Sequence, residues 1–392
     1  MSKYIIKIFP NILRNIPIID RWLLGQLFPP LIFAISAFTV VSLSVGVMID
    51  LIRKIVEYGL PFQLALQIMF LKLPSFLVLS FPMSVLLSTL LAYSKLSSNS
   101  EILALRSLGI KTSRMIIPAL VLSIFMTGLT FYFNNSLVPL SNKYSEILLR
   151  DGLGKSVSME KGTDIFFKGY GSFTNPETNE STKRNTFRNK IFFAREVENN
   201  VMKNVTVLDF SKIGYKQILT ADEGIFNSNK SEWIFSNGRM ITLDKGGNTT
   251  SIGFEKYFYP LGDGPLKVSK IPDDANEMTL SQAFEAKKIY KEIGDVKEAR
   301  KMSVRIHEKF TLPCACLVFG LIGSSLGSKP NLRSSKSQGF GLSVILILFY
   351  YVLSFVSSSL GVKGAFTPFL SAWLPVFVSL LVGFHLLKKA SV

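Results

Sequence analysis

The sequence predicts an α-helical membrane protein with six transmembrane helices, three before and three after an inserted extracytoplasmic all-β domain. Three observations predict it: six long uncharged runs, a middle region that alternates apolar and polar residues, and a basic excess confined to the flanks of the runs. The chain has 392 residues with a hydrophobic fraction of 48% and a positive mean hydropathy, which points away from a soluble globular protein.

The uncharged runs cover residues 22–49, 73–94, 115–142, 310–328, 337–362 and 364–387. A bilayer core needs about 20 helical residues, so each run can cross once. The first exceeds the roughly 7 to 15 residues of a signal-peptide core and reads as an uncleaved helix. In the second crossing Pro61, Pro74 and Pro82 would bend the helix wherever they fall inside it. Lys72 precedes a stretch, 73–94, that already spans about 33 Å as helix. It either snorkels to the outer interface or meets an anionic head group.

The net charge of +17 raises nucleic acid as a partner, so its location matters. Residues 140–277 hold 19 Lys plus Arg against 18 Asp plus Glu, which leaves +16 on the membrane segments and their flanks. That distribution reads as topology and contact with anionic lipid, not as a nucleic-acid surface. Lys3, Lys7, Arg14 and Arg21 precede the first crossing, and Arg53 and Lys54 after it are offset by Asp50 and Glu57. Lys95, Arg106, Lys111 and Arg114 outnumber Glu101 in the next loop, Lys329, Arg333 and Lys336 stand unopposed, and Lys388 and Lys389 close the chain. By the positive-inside rule both termini and these loops are cytoplasmic, and the middle region is outside.

Residues 97–110, SSNSEILALRSLGI, form a short connector at the cytoplasmic face. Ser98 and Glu101 have capping-box spacing, and Gly109 suits a helix end. Ile102, Leu105 and Leu108 recur at three-residue intervals, which leaves Glu101 and Arg106 to make polar contacts. Such a helix either lies with its apolar face in lipid or serves as a docking point.

Period-two alternation in the middle region marks Ile165 and Phe167, Ile191 and Phe193, Val205 and Val207, and Ile241 and Leu243. Asn199-Asn200, residues 227–230, Asn237-Gly238 and Gly246-Gly247 supply turns, and 169–189 reads as a mobile surface loop. The insert closes near Ile271. Thr279 and Gln282 then open a helix by a capping box, Gly294-Asp295 breaks it, and a second helix from Val296 runs into the fourth crossing. The domains so drawn are 1–142, with the connector helix at 98–109, then 143–277, then 278–392.

Catalytic chemistry is missing. No P-loop occurs; Gly109-Ile110-Lys111-Thr112 lacks the glycine beside the lysine and the strand before it. Cys314 and Cys316 point to different faces of one helix, and His307 and His385 have no ligand at metal spacing. The membrane runs lack the carboxylates that ion coupling requires. The expectation is a transport protein without cofactor or metal that borrows its energy from an ATPase partner.

The segments EILALRSLGI and RIHEKFTLPCACLVFGLIGSSLG, at 101–110 and 305–327, resemble those of the LptF/LptG permeases, the transmembrane subunits of the lipopolysaccharide exporter. The likeness covers nearly the whole chain. It implies an ABC-type exporter in the bacterial inner membrane, with a second permease subunit, either a homologue or another copy, and a cytosolic ATPase dimer. It also implies a β-jellyroll for the insert, which passes lipopolysaccharide from the outer leaflet toward a periplasmic jellyroll bridge protein. On this resemblance Glu101, with Ile102, Leu105, Arg106 and Leu108, couples to the ATPase. The first and fifth crossings line a lateral gate, with Phe33, Phe38, Phe349 and Phe355 as candidates. Ile165, Phe167, Ile191, Phe193, Val205, Val207, Ile241 and Leu243 would line the jellyroll interior. The first crossing differs from the family in carrying no basic residue before Arg53 and Lys54. Either those two, with Lys72, meet the head group, or the head group carries less charge. A lipid cargo suits a sheltering fold, because exposing a chain of about 14 carbons to water costs about 11 kcal/mol at roughly 0.8 kcal/mol per CH₂. The alternatives are a permease for another lipid or envelope protein, and a membrane-anchored β scaffold with no motor.

Overall fold

The computed structural model describes residues 17–153, 163–170, 173–174, 181–182, 188–198, 201–211, 216–227, 232–244, 246–261, 263–269, 271–272, 277–328 and 336–391. Lys3, Lys7, Arg14, Lys329, Arg333, the Asn199-Asn200 turn and most of 169–189 lie outside them. The chain divides into two compact units, Met1–Leu153 with Val304–Val392, and Gly154–Ser303.

The first unit is helical. α1 (Ile18–Leu43) passes through a π-helical turn, Ser44–Met48, into α2 (Ile49–Tyr58). Gly59, at φ 68°, stops α2, and the Leu60 amide donates to the Lys54 carbonyl at 3.2 Å. α3 (Phe62–Ser98) runs unbroken through Pro74 and Pro82. α4 (Glu101–Ser107) is the connector helix. α5 (Thr112–Tyr132) continues through a second π turn, Phe133–Leu137, into α6 (Val138–Gly152). After the strands come α7 (Gly264–Ser269) and α8 (Leu280–Ile293), which belong to the second unit, then α9 (Val296–Gly327), which enters the first unit at Val304, α10 (Lys336–Lys363) and α11 (Pro368–Ser391). Among the described residues, six continuous spans are long and apolar enough to cross a membrane: α1–α2, α3, α5–α6, α9, α10 and α11.

The second and fourth crossings, α3 and α9, are the inner ones, with 67% and 72% of their most apolar windows buried against 17% for the first and fifth. Small residues let α9 sit so deep. A Cβ on Gly323 would stand 2.1 Å from Thr89 Oγ1 and 2.9 Å from the Leu86 carbonyl, and one on Gly327 would stand 2.9 Å from the Leu90 carbonyl. One on Gly320 would meet Ser123 Oγ of α5 at 1.7 Å. Hydrocarbon offers helices no hydrophobic reason to associate, so this near-backbone approach supplies the packing.

The second unit contains β1 (Thr163–Tyr170), β2 (Phe173–Thr174), β3 (Ser181–Thr182), β4 (Arg188–Glu198), β5 (Val201–Asp209), β6 (Lys216–Asn227), β7 (Glu232–Leu243) and β8 (Thr249–Tyr259). The main sheet is antiparallel in the order β1-β4-β5-β6-β7-β8, and β2 pairs only with β3. Among the described strands this is an up-and-down meander, not the crossed order of a jellyroll.

The sheet nonetheless makes two facing layers by bending. Phe192 lies opposite Val207, whose β6 partner is Leu219, whereas Trp233 lies opposite Phe226. In a flat sheet the stretch of β6 from Leu219 to Phe226 would hold those rows about 23 Å apart. Their rings are 5.3 Å apart. The crease runs through Asn204 and Asn237, both left-handed at φ 52° and φ 50°. There the inward positions change phase: Met202 and Val205 are both buried, as are Ala221 and Gly224. Gly238 is required, because a Cβ would lie 2.4 Å from the Thr220 carbonyl.

The core between the layers holds Phe167, Phe192, Val205, Val207, Leu219, Trp233 and Phe235, with Leu266 and Val268 of α7 against it. Four of the expected interior residues are elsewhere. Ile191 and Phe193 flank the fully buried Phe192, and Ile191, Leu208, Ile218 and Ile241 pair in one row across the opposite face, with Leu243 two residues beyond. The reason is register: Phe192 pairs with both Phe167 and Val207, so its neighbours in the Ile-Phe-Phe run must point away. Ile165 sits opposite Ala194 in the register. Thr279 and Gln282 form the expected capping box, and Gly294, at φ 87°, ends α8.

Asp209 closes the fold-over. It accepts from the Ser211 amide at 2.8 Å and from the Tyr259 hydroxyl, and Lys190 Nζ stands 3.7 Å away. Burial alone would raise its pKa, but these bonds and the lysine outweigh burial and hold it below the ordinary carboxylate range. Stabilisation from a depressed carboxylate is present at neutral pH and is lost as pH falls through the ordinary range toward the folded value.

Two outcomes follow from this packing. Gly323→Val should destabilise the helical unit by about 1–3 kcal/mol, read as a lower thermal midpoint in detergent, whereas an unchanged midpoint would contradict the close seam. Asp209→Asn should cost about 1–3 kcal/mol at neutral pH. That deficit should shrink toward pH 3 as the wild type loses its ion, and parallel pH curves would refute the account of Asp209.

Candidate functional site

The connector is clipped between two left-handed residues. α3 continues to Ser98, whose hydroxyl donates to its own helix at the Lys95 carbonyl, so the expected Ser98–Glu101 capping box does not form. Ser100, at φ 63°, reverses the chain, and Glu101 Oε1 accepts instead from Asn99 Nδ2 at 2.9 Å. At the other end Gly109 is at φ 85°, and the Ile110 amide reaches back to the Leu105 carbonyl at 3.2 Å.

The seven-residue helix has two clear sides. Ile102 is buried and Leu105 partly buried in a core shared with Leu23 and Leu27 of α1, Tyr93 and Leu96 of α3, Met115 of α5 and Leu387 of α11. Leu103 and Leu108 are 58% and 77% exposed. Leu108 therefore does not share the face of Ile102 and Leu105: the helix ends at Ser107, and the three-residue spacing ends with it. Leu103 was invisible to that spacing. Arg106 turns inward, where one guanidinium nitrogen donates to the Ala390 carbonyl at the end of α11 and Nε is buried without a hydrogen-bond partner among the described residues. Arg114, just past the connector, makes a two-pronged ion pair with Asp20 at the start of α1, at 2.8 and 2.7 Å.

The thinly buried first and fifth crossings present Phe33, Phe349 and Phe355 outward, whereas Phe38 packs against a core containing Ile347 and Tyr350 of α10. The fifth crossing is tied at one end to the fourth, where Ser358 Oγ donates to Glu308 Oε1 at 2.5 Å while Glu308 Oε2 pairs with Arg305 at 2.6 Å. Ser357 Oγ ties it to the sixth at the Ser371 carbonyl, 2.6 Å away.

Of the basic candidates, Lys54 is paired with Asp50 at 2.9 Å, while Arg53 and Lys72 have no ion-pair partner among the described residues. Lys309, at the mouth of the fourth apolar run, is buried and donates to the Asn134 carbonyl in the π turn at 3.2 Å. Its place one residue before that run was the available signal. Among the described residues no group of three His, Cys, Asp or Glu could hold a metal.

Comparison with known proteins decides the family. A family profile described as "Lipopolysaccharide export system permease LptF/LptG" matches residues 21–389, which takes in the connector, the strands and all six long helices. The chain belongs to the LptF/LptG family. It is a multi-pass membrane protein and a transport subunit of the lipopolysaccharide permease kind. It is also similar to the uncharacterized protein RP871 of Rickettsia prowazekii (strain Madrid E), 21% identical over 333 residues that cover 81% of this chain and 84% of that one. Within this LptF/LptG chain the matched region also takes in the glycine seam of α9.

Proposed function

We propose that this chain is a permease subunit of an ATP-driven lipopolysaccharide exporter, drawing the lipid from the outer leaflet of the inner membrane and passing it to a periplasmic jellyroll bridge protein. The observation that carries the reading is the family match across nearly the whole chain. In this reading both termini and the connector are cytoplasmic, and the β unit is periplasmic with three crossings on either side of it.

A cytosolic ATPase dimer meets the outer side of the connector, where Glu101 is flanked by the exposed Leu103 and Leu108. Ile102, Leu105 and Arg106 act from within by seating the helix. A second permease, a homologue or another copy, faces the sparsely buried first and fifth crossings, with Phe33, Phe349 and Phe355 at the gate and Phe38 behind it. Arg53 and Lys72 are the freer cations for a phosphorylated head group, and Lys54 is shared with Asp50. Acyl chains would lie between the two layers of the bent sheet, along Phe167, Phe192, Val205, Val207, Trp233 and Phe235. Such shelter offsets the cost of exposing each chain to water.

Purification of the tagged chain from membranes tests the reading. An ATPase and lipopolysaccharide should co-purify, and Glu101→Arg or Leu103→Asp should lower ATPase recovery about tenfold or more, as loss of an interface anchor does. A wild-type preparation without either would contradict it, and a different bound lipid would name another cargo.

A further inference from the structure

We propose that Asp20 and Arg114 are positioning residues that carry the motion of the connector into the first crossing. The inference rests on the motor reading above and concerns two residues outside the connector helix itself. Arg114 lies in the first turn of α5, where its amide is bonded to the Lys111 carbonyl at 3.0 Å, so it moves with the chain leaving the connector. Asp20 lies in the first turn of α1, and its side chain is 14% exposed. Nη1 meets Oδ1 at 2.8 Å and Nη2 meets Oδ2 at 2.7 Å. Two parallel bonds between planar groups resist both separation and swivelling, which a single lysine contact does not.

The residues around the pair suit transmission. Leu23, Leu27 and Leu31 pack the cytosolic half of α1 against the core that also holds Ile102 of the connector. Farther along, α1 buries Ala34 and Thr39 on one side and exposes Phe33, Val40, Val41 and Val45 on the other. The π turn at Ser44–Met48 then joins it to α2, with Gly46 against Phe76, where a Cβ would come within 2.6 Å. Movement of the connector therefore pushes α1 at Asp20, near one end, with that turn beyond its exposed stretch. Arg106 makes a matching tie from the connector to the end of the sixth crossing at Ala390. Arg114 is 43% exposed on its side chain, and an ion pair this accessible adds little to folding, so single variants should remain folded.

The test is a charge swap with two readouts. The permease is reconstituted with its ATPase in proteoliposomes containing lipopolysaccharide, and lipid export is measured per ATP hydrolysed. Asp20→Arg and Arg114→Asp should each lower that ratio about tenfold while ATPase binding persists, and the double swap should return it to within about threefold of wild type. Unchanged ratios in the single variants, or a double swap no better than the worse single one, would overturn the proposal.

The second readout needs no motor. Spin labels at Ile19→Cys and Ser107→Cys, in a full-length chain with Cys314 and Cys316 replaced by Ala, report the distance between α1 and the connector in nanodiscs. Asp20→Asn should broaden the distribution and the charge swap should narrow it again, whereas distributions identical to wild type overturn the strut. If no ATPase binds the wild type, the motor reading fails, and this arm still decides whether the pair joins the two elements.

Discussion

The helical unit depends on how closely the second, third and fourth crossings approach one another. Gly320, Gly323 and Gly327 turn one side of α9 into bare backbone, and Ser123 of α5, with Thr89 and the Leu86 and Leu90 carbonyls of α3, fills the space their side chains would take. In water a leucine seam would serve, because burial from solvent drives association. In hydrocarbon a leucine gains nothing by leaving lipid for protein, so contact area at short range has to do it. With α3 and α9 locked at the centre, α1 and α10 are left at the periphery with most of their apolar surface open. That division gives a closely packed centre and two outer helices with open apolar faces.

The β unit reaches its two-layered form with little topological complexity. A meander has no crossovers, so its layers come from a crease where Asn204 and Asn237 take left-handed conformations and Gly238 clears the Thr220 carbonyl. Asn tolerates that region better than most residues, and both crease positions use it. Asp209 and Tyr259 then join distant ends of β5 and β8 across the fold, and Lys190 lies 4.7 Å from the centre of the Tyr259 ring. The result is a packed apolar core whose two walls belong to one continuous sheet.

Much of this was legible in the residues, and the exceptions have physical causes. Run length alone located six spans, because hydrocarbon thickness leaves little freedom in how long an apolar helix must be. The Thr279–Gln282 box formed as its spacing implied, but the Ser98–Glu101 box did not. The same spacing failed there because α3 had not yet ended, and a serine inside a helix bonds backward to its own carbonyls. Alternation found Phe167, Val205 and Val207 but misassigned Ile191, Phe193, Ile241 and Leu243, since this sheet is apolar on both faces and only strand register decides between them. Asp20 and Arg114 are 94 residues apart in the chain, and no local pattern announces a pair of that kind.

In the proposed reading the connector is a cytosolic docking helix and the bent sheet shelters lipid, while the helical unit is closely packed at its centre and open at its edge. The central claim is that the connector and the sheet lie on opposite sides of the membrane. The most direct measurement is membrane-impermeant maleimide labelling of Leu108→Cys and Lys256→Cys in sealed right-side-out and inverted inner-membrane vesicles, with Cys314 and Cys316 replaced by Ala. The account predicts that Leu108→Cys is labelled only in inverted vesicles and Lys256→Cys only in right-side-out ones. Labelling of both from the same side would contradict it, because the motor and the cargo would then share a compartment.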